Sequence, residues 1–176
     1  MKKTIVIYYS NNGSNRFLAH KIAERLQCDI EEIRPIFNAH LLLVFGLSPG
    51  NKKVKSNLAA YDRIILCGPI WMGKFISPLK DFAIKYHDKI KELVFITCCA
   101  SSFKMKDEKF GHGHVFRQVR ELTKNCTHCE ALPVTLVVPE EKREDSQVVM
   151  STRLNEANFT GEILQLFDGF IKRMRA

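Results

Sequence analysis

Residues 3–26 read KTIVIYYSNNGSNRFLAHKIAERL, and the fold turns on them. Lys3 to Tyr9 is β-branched and aromatic without polar alternation, the signature of a strand buried on both faces of a parallel sheet. A polar loop follows, Ser10-Asn11-Asn12-Gly13-Ser14-Asn15. Beyond it Phe17, Leu18, Ile22 and Leu26, with Ala19 and Ala23 beside them, recur at helical spacing. The stretch is therefore strand, tight loop, helix. At such a junction backbone N–H groups and the helix dipole converge on one point that suits an anion. The loop has no lysine of a Walker type and a single glycine, so neither a nucleoside-triphosphate loop nor a dinucleotide fingerprint fits. Its neutral hydroxyls and amides suit a monophosphate ester. The alternative is a helix start capped by Ser10 or Asn12 with nothing bound.

Working outward, CDIEEI (28–33) reads as a second strand ended by Arg34-Pro35. Residues 36–58 are expected to hold a short helix and a long loop. YDRIILC (61–67) is a third strand that empties into GPIWMGKFIS, and Pro78 opens a helix to about Tyr86. LVFIT (93–97) is a fourth strand, 98–113 a polar loop bearing Gly and His, and Val115, Val119 and Leu122 a helical stripe. LPVTLVV (132–138) is the expected fifth strand, 139–157 is polar, and FTGEILQLFDGFIKRM (159–174) is an amphipathic helix. Strands alternating with helices predict one α/β domain over 1–176, a parallel sheet with helices on both faces. Ligands of such sheets sit at the carboxyl ends of the strands. Those ends are the loops after Tyr9, Cys67 and Thr97.

The second of these loops holds Trp71, the single tryptophan of the chain, between Pro69-Ile70 and Met72-Gly73. A large aromatic face there is placed to stack on a planar ring. Gly73 lets the adjacent peptide turn over without a Cβ clash.

With these residues in place the chain resembles the flavodoxin family, through residues 3–26, through YDRIILCGPIWMGKFISPLKDF, through the fourth strand with its TCCASS loop, and through element order. The resemblance implies a doubly wound five-stranded parallel sheet in order 2-1-3-4-5 and one non-covalent FMN. Carried over, Ser10, Asn11, Asn12, Gly13, Ser14 and Asn15 would hold the phosphate. Trp71, with Pro69 and Ile70, would lie against the isoalloxazine, and the Met72-Gly73 peptide would face its N5. Thr97, Cys98, Cys99, Ala100 and Phe103 would border the other side of the ring. The chain departs from the family where Asn12 and Asn15 stand in place of threonines and where Phe103 is the nearest substitute for an outer stacking tyrosine. It departs again in charge, since carriers of the family are generally acidic.

The chain has 27 Lys plus Arg against 19 Asp plus Glu, a net charge of +8 that favours anionic partners. The basic residues are scattered without aromatic interleaving, which argues against a nucleic-acid module. The cluster Lys104/Lys106/Lys109 would rim the ring edge and attract an acidic redox partner or a phosphorylated nicotinamide nucleotide. The apolar run LLLVFG (41–46) is far short of the about 20 residues that span a bilayer. It is a candidate dimer face or peripheral membrane contact. No secretory leader is read at the N-terminus, so a cytoplasmic location with reduced thiols is expected. Six cysteines are too few for a disulfide scaffold. Cys126 and Cys129 have C-x-x-C spacing, read as free surface thiols, with a working dithiol or half a metal site as alternatives. No metal is expected. His112 and His114 flank the same edge as candidate proton donors, or as solvent-facing loop residues.

The leading functional reading is electron transfer through FMN. The alternatives are a small FMN-dependent oxidoreductase of NAD(P)H:quinone or protoporphyrinogen type, and a cofactor-free binding module on the same fold.

Overall fold

The computed structural model describes residues 2–36 and 50–176; the apolar run 41–46 lies outside the described residues. The main sheet contains β1 (Thr4–Tyr8), β2 (Asp29–Glu32), β3 (Arg63–Cys67), β6 (Leu93–Cys99) and β7 (Cys126–Pro133), and a two-residue ladder pairs β4 (Ile70–Trp71) with β5 (Lys74–Phe75). The helices are α1 (Ser14–Leu26), α2 (Ser77–Lys85), α3 (His112–Leu122), α4 (Ser146–Ser151) and α5 (Gly161–Arg175). The five strands run parallel in spatial order β2-β1-β3-β6-β7. Counting only the strands of this sheet, that is the expected order 2-1-3-4-5.

Side-chain alternation divides the core between the two faces of the sheet. Ile5, Ile7, Ile64, Leu66, Leu93 and Phe95 face Leu79 and Phe82 of α2 and Val115 and Val119 of α3. Val6, Tyr8, Ile65, Cys67, Val94 and Ile96 face Leu18 and Ile22 of α1 and Ile163, Phe167 and Phe170 of α5. Both faces of β1, β3 and β6 are thus buried, which is why these strands carry no polar alternation. Among the described residues no helix is long and apolar enough to cross a membrane.

Three local expectations are corrected. The fifth strand is Cys126–Pro133, whereas Val134–Val137 form a 3₁₀ turn. LPVTLVV has the better strand composition, but Pro133 ends the ladder, and the pairing of 93–99 against 126–133 decides the matter. The fourth strand runs on to Cys99, so Thr97, Cys98 and Cys99 belong to the ladder and are buried. Helix α3 begins at His112, so both histidines lie in its first turn instead of in a loop.

Candidate site at the carboxyl edge of the sheet

Because the strands are parallel, the segments after Tyr8, Cys67 and Cys99 all leave the sheet at one edge. In the first, Gly13 takes φ +98°, a conformation that glycine reaches at no steric cost, and α1 starts immediately after it. Gly13 N–H donates to Ser10 Oγ at 3.2 Å, so Ser10 closes the loop and does not cap the helix. Among the described residues no side chain caps α1. The N–H groups of its first turn have no acceptor within the helix, and no described residue beyond its chain neighbours lies within 4 Å of where a Cβ on Gly13 would sit. Asn11 and Asn12 are exposed beside them.

Ser14 and Asn15 are placed differently from the other loop residues. Ser14 is buried, and its Oγ accepts from Leu154 N–H at 3.1 Å, which ties the segment before α5 to this corner. Asn15 is 2% exposed, its Oδ1 accepting from Cys98 N–H at 2.8 Å and its Nδ2 donating to Cys98 O at 3.0 Å. The cause lies in the sheet. The carbonyl of Ile96 accepts from Gly68 N–H at 3.2 Å. Two residues on, Cys98 presents its peptide groups to the same side, past the end of β3. The Asn15 amide supplies the missing donor and acceptor together, which a threonine hydroxyl at this position cannot do in the same two-point geometry. Both side chains are thereby engaged within the protein, so α1 offers an anion its first-turn N–H groups, while Ser10, Asn11 and Asn12 offer side chains.

The second loop is a hairpin. Trp71 pairs with Lys74, and the turn residues Met72 and Gly73 have φ 50° and 68°, the two positive values of a type I′ turn. Trp71 is half-buried, with its ring 6.4 Å from that of Tyr9 in an edge arrangement. Pro69 is buried and Ile70 half-buried. Gln118 of α3 pins the hairpin, accepting from Phe75 N–H at 3.0 Å and donating to Gly73 O at 2.9 Å. A Cβ on Gly73 would come within 2.5 Å of Lys109 O, so the hairpin tip packs directly on the third segment. Gln118 escaped sequence reading because a polar residue beside the Val115/Val119 stripe looks like an ordinary solvated position.

In the third segment Ala100, Ser101 and Ser102 are half-buried, and residues 103–110 are exposed. Phe103, Met105 and Phe110 are 43%, 49% and 53% exposed beside Met72 at 67%. Lys104, Lys106 and Lys109 lie among them. His112 is buried; its Nδ1 lies 3.1 Å from Ser101 Oγ, and its ring stacks edgewise on Phe103. Burial holds its imidazole below the ordinary range. His114 is tied to Asp107 O and Arg117. Burial pushes the Cys99 thiol up to about 12 and raises that of Cys98 as well, so neither is a thiolate near neutral pH. No cluster of metal-ligating residues occurs among the described residues. A concavity of about 320 Å³ lined by Lys2, Thr4, Gln27, Asp29 and Met174 lies at the opposite edge of the sheet.

The sequence model of the Flavodoxin domain family matches residues 5–134. The chain belongs to the Flavodoxin domain family. Solved structures repeat the fold of this flavodoxin domain at low identity. A Lactobacillus acidophilus flavoprotein in complex with FMN has TM-score 0.60 and 18% identity, over 74% of this chain and 93% of that one. The apo form of the Lactobacillus acidophilus flavoprotein gives 0.57 and 19%, over 74% and 92%. A Bacteroides uniformis protein gives 0.58 and 19%, over 82% and 96%. No curated protein matches the chain.

Two measurements separate structure from ligand binding here. Asn15→Ala orphans two buried backbone groups and is expected to cost roughly 2–4 kcal/mol in denaturant unfolding, whereas exposed Asn12→Ala stays within about 0.5 kcal/mol of wild type. For His112 the folded imidazole resists protonation that the unfolded one accepts. Its contribution is therefore intact above the ordinary imidazole value and is lost as pH falls below it. His112→Gln should show a smaller loss of unfolding free energy than wild type between pH 7 and pH 5; equal losses would contradict this.

Proposed function

We infer that the chain binds FMN non-covalently at the carboxyl edge of its sheet and passes electrons between the flavin and a partner. The observation that carries this reading is the meeting, at one edge, of an uncapped helix start behind Gly13 and the Trp71 hairpin. Helix-start N–H groups suit a phosphate monoester, and a half-buried indole suits a planar ring. The FMN complex of the Lactobacillus acidophilus flavoprotein, with the same fold, supports it.

Ser10, Asn11, Asn12 and the first-turn N–H groups would hold the phosphate. Trp71 and Ile70 would cover one face of the ring, while Ala100 to Phe103 would border its other side. The cofactor supplies one- and two-electron exchange. The chain supplies position: Gln118 fixes the hairpin, Asn15 fixes the corner between α1 and β6, and burial of Cys98 and Cys99 keeps thiolates away from the site.

The rim supports one reading of the partner. Met72, Phe103, Met105 and Phe110 are exposed, and Lys104, Lys106 and Lys109 lie in the same segment as Asp107 and Glu108. Exposed apolar side chains on a chain of net charge +8 favour an acidic redox protein. The half-buried Ser101, its Oγ 3.1 Å from His112 Nδ1 on the side that would border the ring, supports a second reading, an oxidoreductase acting on a quinone-like acceptor. Steady NAD(P)H consumption with a quinone by the purified protein would select it.

The test is retention of flavin absorbance after FMN is added and excess removed by gel filtration. The protein should remain yellow with quenched flavin fluorescence. Trp71→Ala should weaken binding about 3- to 12-fold, equivalent to about 0.7–1.5 kcal/mol of ring contact. A wild-type protein that emerges colourless would overturn the reading.

A further inference from the structure

The C-x-x-C pair lies away from the flavin-binding edge, on β7, which forms one edge of the sheet. In a regular strand, residues three apart point to opposite faces, so Cys126 and Cys129 should be separated by the sheet. Here the ladder pairs Leu93 with Cys126 but Val94 with His128, so Thr127 is an extra residue and β7 is bulged. The inserted residue shifts the alternation by one. Cys126 and Cys129 both pack on the α3 face, with Val115 and Val119. His128 turns the other way, its ring 6.4 Å from that of Phe170 in α5. The two Sγ atoms stand 3.5 Å apart as free thiols, against a bonding distance of about 2.05 Å.

The surroundings distinguish the two sulfurs. Cys126 is partly exposed at the start of the edge strand, and Cys129 is 8% exposed beneath it. Their mutual hydrogen bond and the positive charge of Arg120 in α3 hold Cys126 below the ordinary thiol range, while that bond and burial raise Cys129. The other cysteines are poor nucleophiles: burial pushes Cys28 up to about 11 and raises Cys67, Cys98 and Cys99.

We propose that Cys126 and Cys129 form a redox-active dithiol, Cys126 attacking and Cys129 resolving, that a low-molecular-weight disulfide oxidises to an intramolecular disulfide. The Cys126 thiolate attacks one sulfur of the small disulfide; the S–S bond breaks, and the departing thiolate takes up a proton. Cys129 then loses its proton to solvent and attacks the Cys126 sulfur, releasing the second small thiol. The protein loses two electrons and two protons, and the small disulfide becomes two thiols. The bulge makes the exchange possible by placing both sulfurs on one face. The inference rests on strand geometry and stands apart from flavin binding.

The test equilibrates the full chain with glutathione disulfide, alkylates the remaining thiols and maps them by peptide mass spectrometry. Wild type should lose two of its six alkylatable cysteines and yield one peptide linking Cys126 to Cys129, restored by excess dithiol. Cys129→Ser should trap one glutathione on Cys126, and Cys126→Ser should stay unmodified over the same time. The wild-type result needs no variant, so a misfolded substitution leaves the test intact. Six alkylatable thiols after equilibration, a bond between chains, or a bond involving Cys28, Cys67, Cys98 or Cys99 would overturn the proposal.

Discussion

The two hydrogen bonds between the Asn15 amide and the Cys98 backbone join the start of the first helix to the end of the fourth long strand. Parallel strands create the need for them. When β3 ends at Cys67 and its chain turns into the hairpin, the longer β6 continues with a buried peptide that has no neighbouring strand on that side. A buried unpaired donor and acceptor would cost about 1–3 kcal/mol each. Asn15 satisfies both, and in doing so sets where α1 begins and where its uncapped N–H groups lie relative to the segment from Ala100 onward. Ser14 extends the same corner toward Leu154. Two residues that resemble phosphate ligands in the sequence thus use their side chains to tie α1 to β6 and to the segment before α5.

The hairpin is held with comparable economy. A two-residue turn with both φ values positive places Trp71 opposite Lys74, and one glutamine reaches from α3 to a donor and an acceptor on the second strand and the turn. The close seat of Gly73 on Lys109 couples hairpin and basic segment, so a partner docked on the exposed apolar rim touches the same unit that carries the tryptophan. The whole chain carries a net charge of +8, opposite in sign to the acidic carriers of the family.

Where one physical signal dominated, the sequence was legible. Lys3 to Tyr9, YDRIILC and LVFIT are apolar because both their faces are buried, and Pro78 marks a helix start because its missing N–H costs nothing there. Reading stopped where tertiary pairing outweighs composition. CTHCEALP has little strand preference, yet it pairs with β6 along its length, while the better-looking VTLV coils after Pro133. The bulge at Thr127 leaves no mark in composition, so the C-x-x-C spacing alone does not show that Cys126 and Cys129 share a face. His112 looked like a loop residue because glycines flank it; Gly111 instead precedes the helix, and Gly113 lies in its first turn. The bonds of the Asn15 side chain to Cys98 were not legible because nothing in the local sequence reveals where β3 ends beside β6.

In the proposed site the first turn of α1 and the Trp71 hairpin are the two halves that hold the phosphate and the ring of one flavin. Amide-resolved NMR titration of the full chain with FMN, and separately with riboflavin, tests this directly. FMN should shift the Gly13 to Arg16 amides, the Trp71 indole and the Ala100 to Phe103 amides together. Riboflavin, which lacks the phosphate, should move only the latter two groups and bind more weakly. Shifts confined to the opposite edge around Lys2, Gln27 and Met174, or equal responses of Gly13 to Arg16 to both ligands, would contradict it.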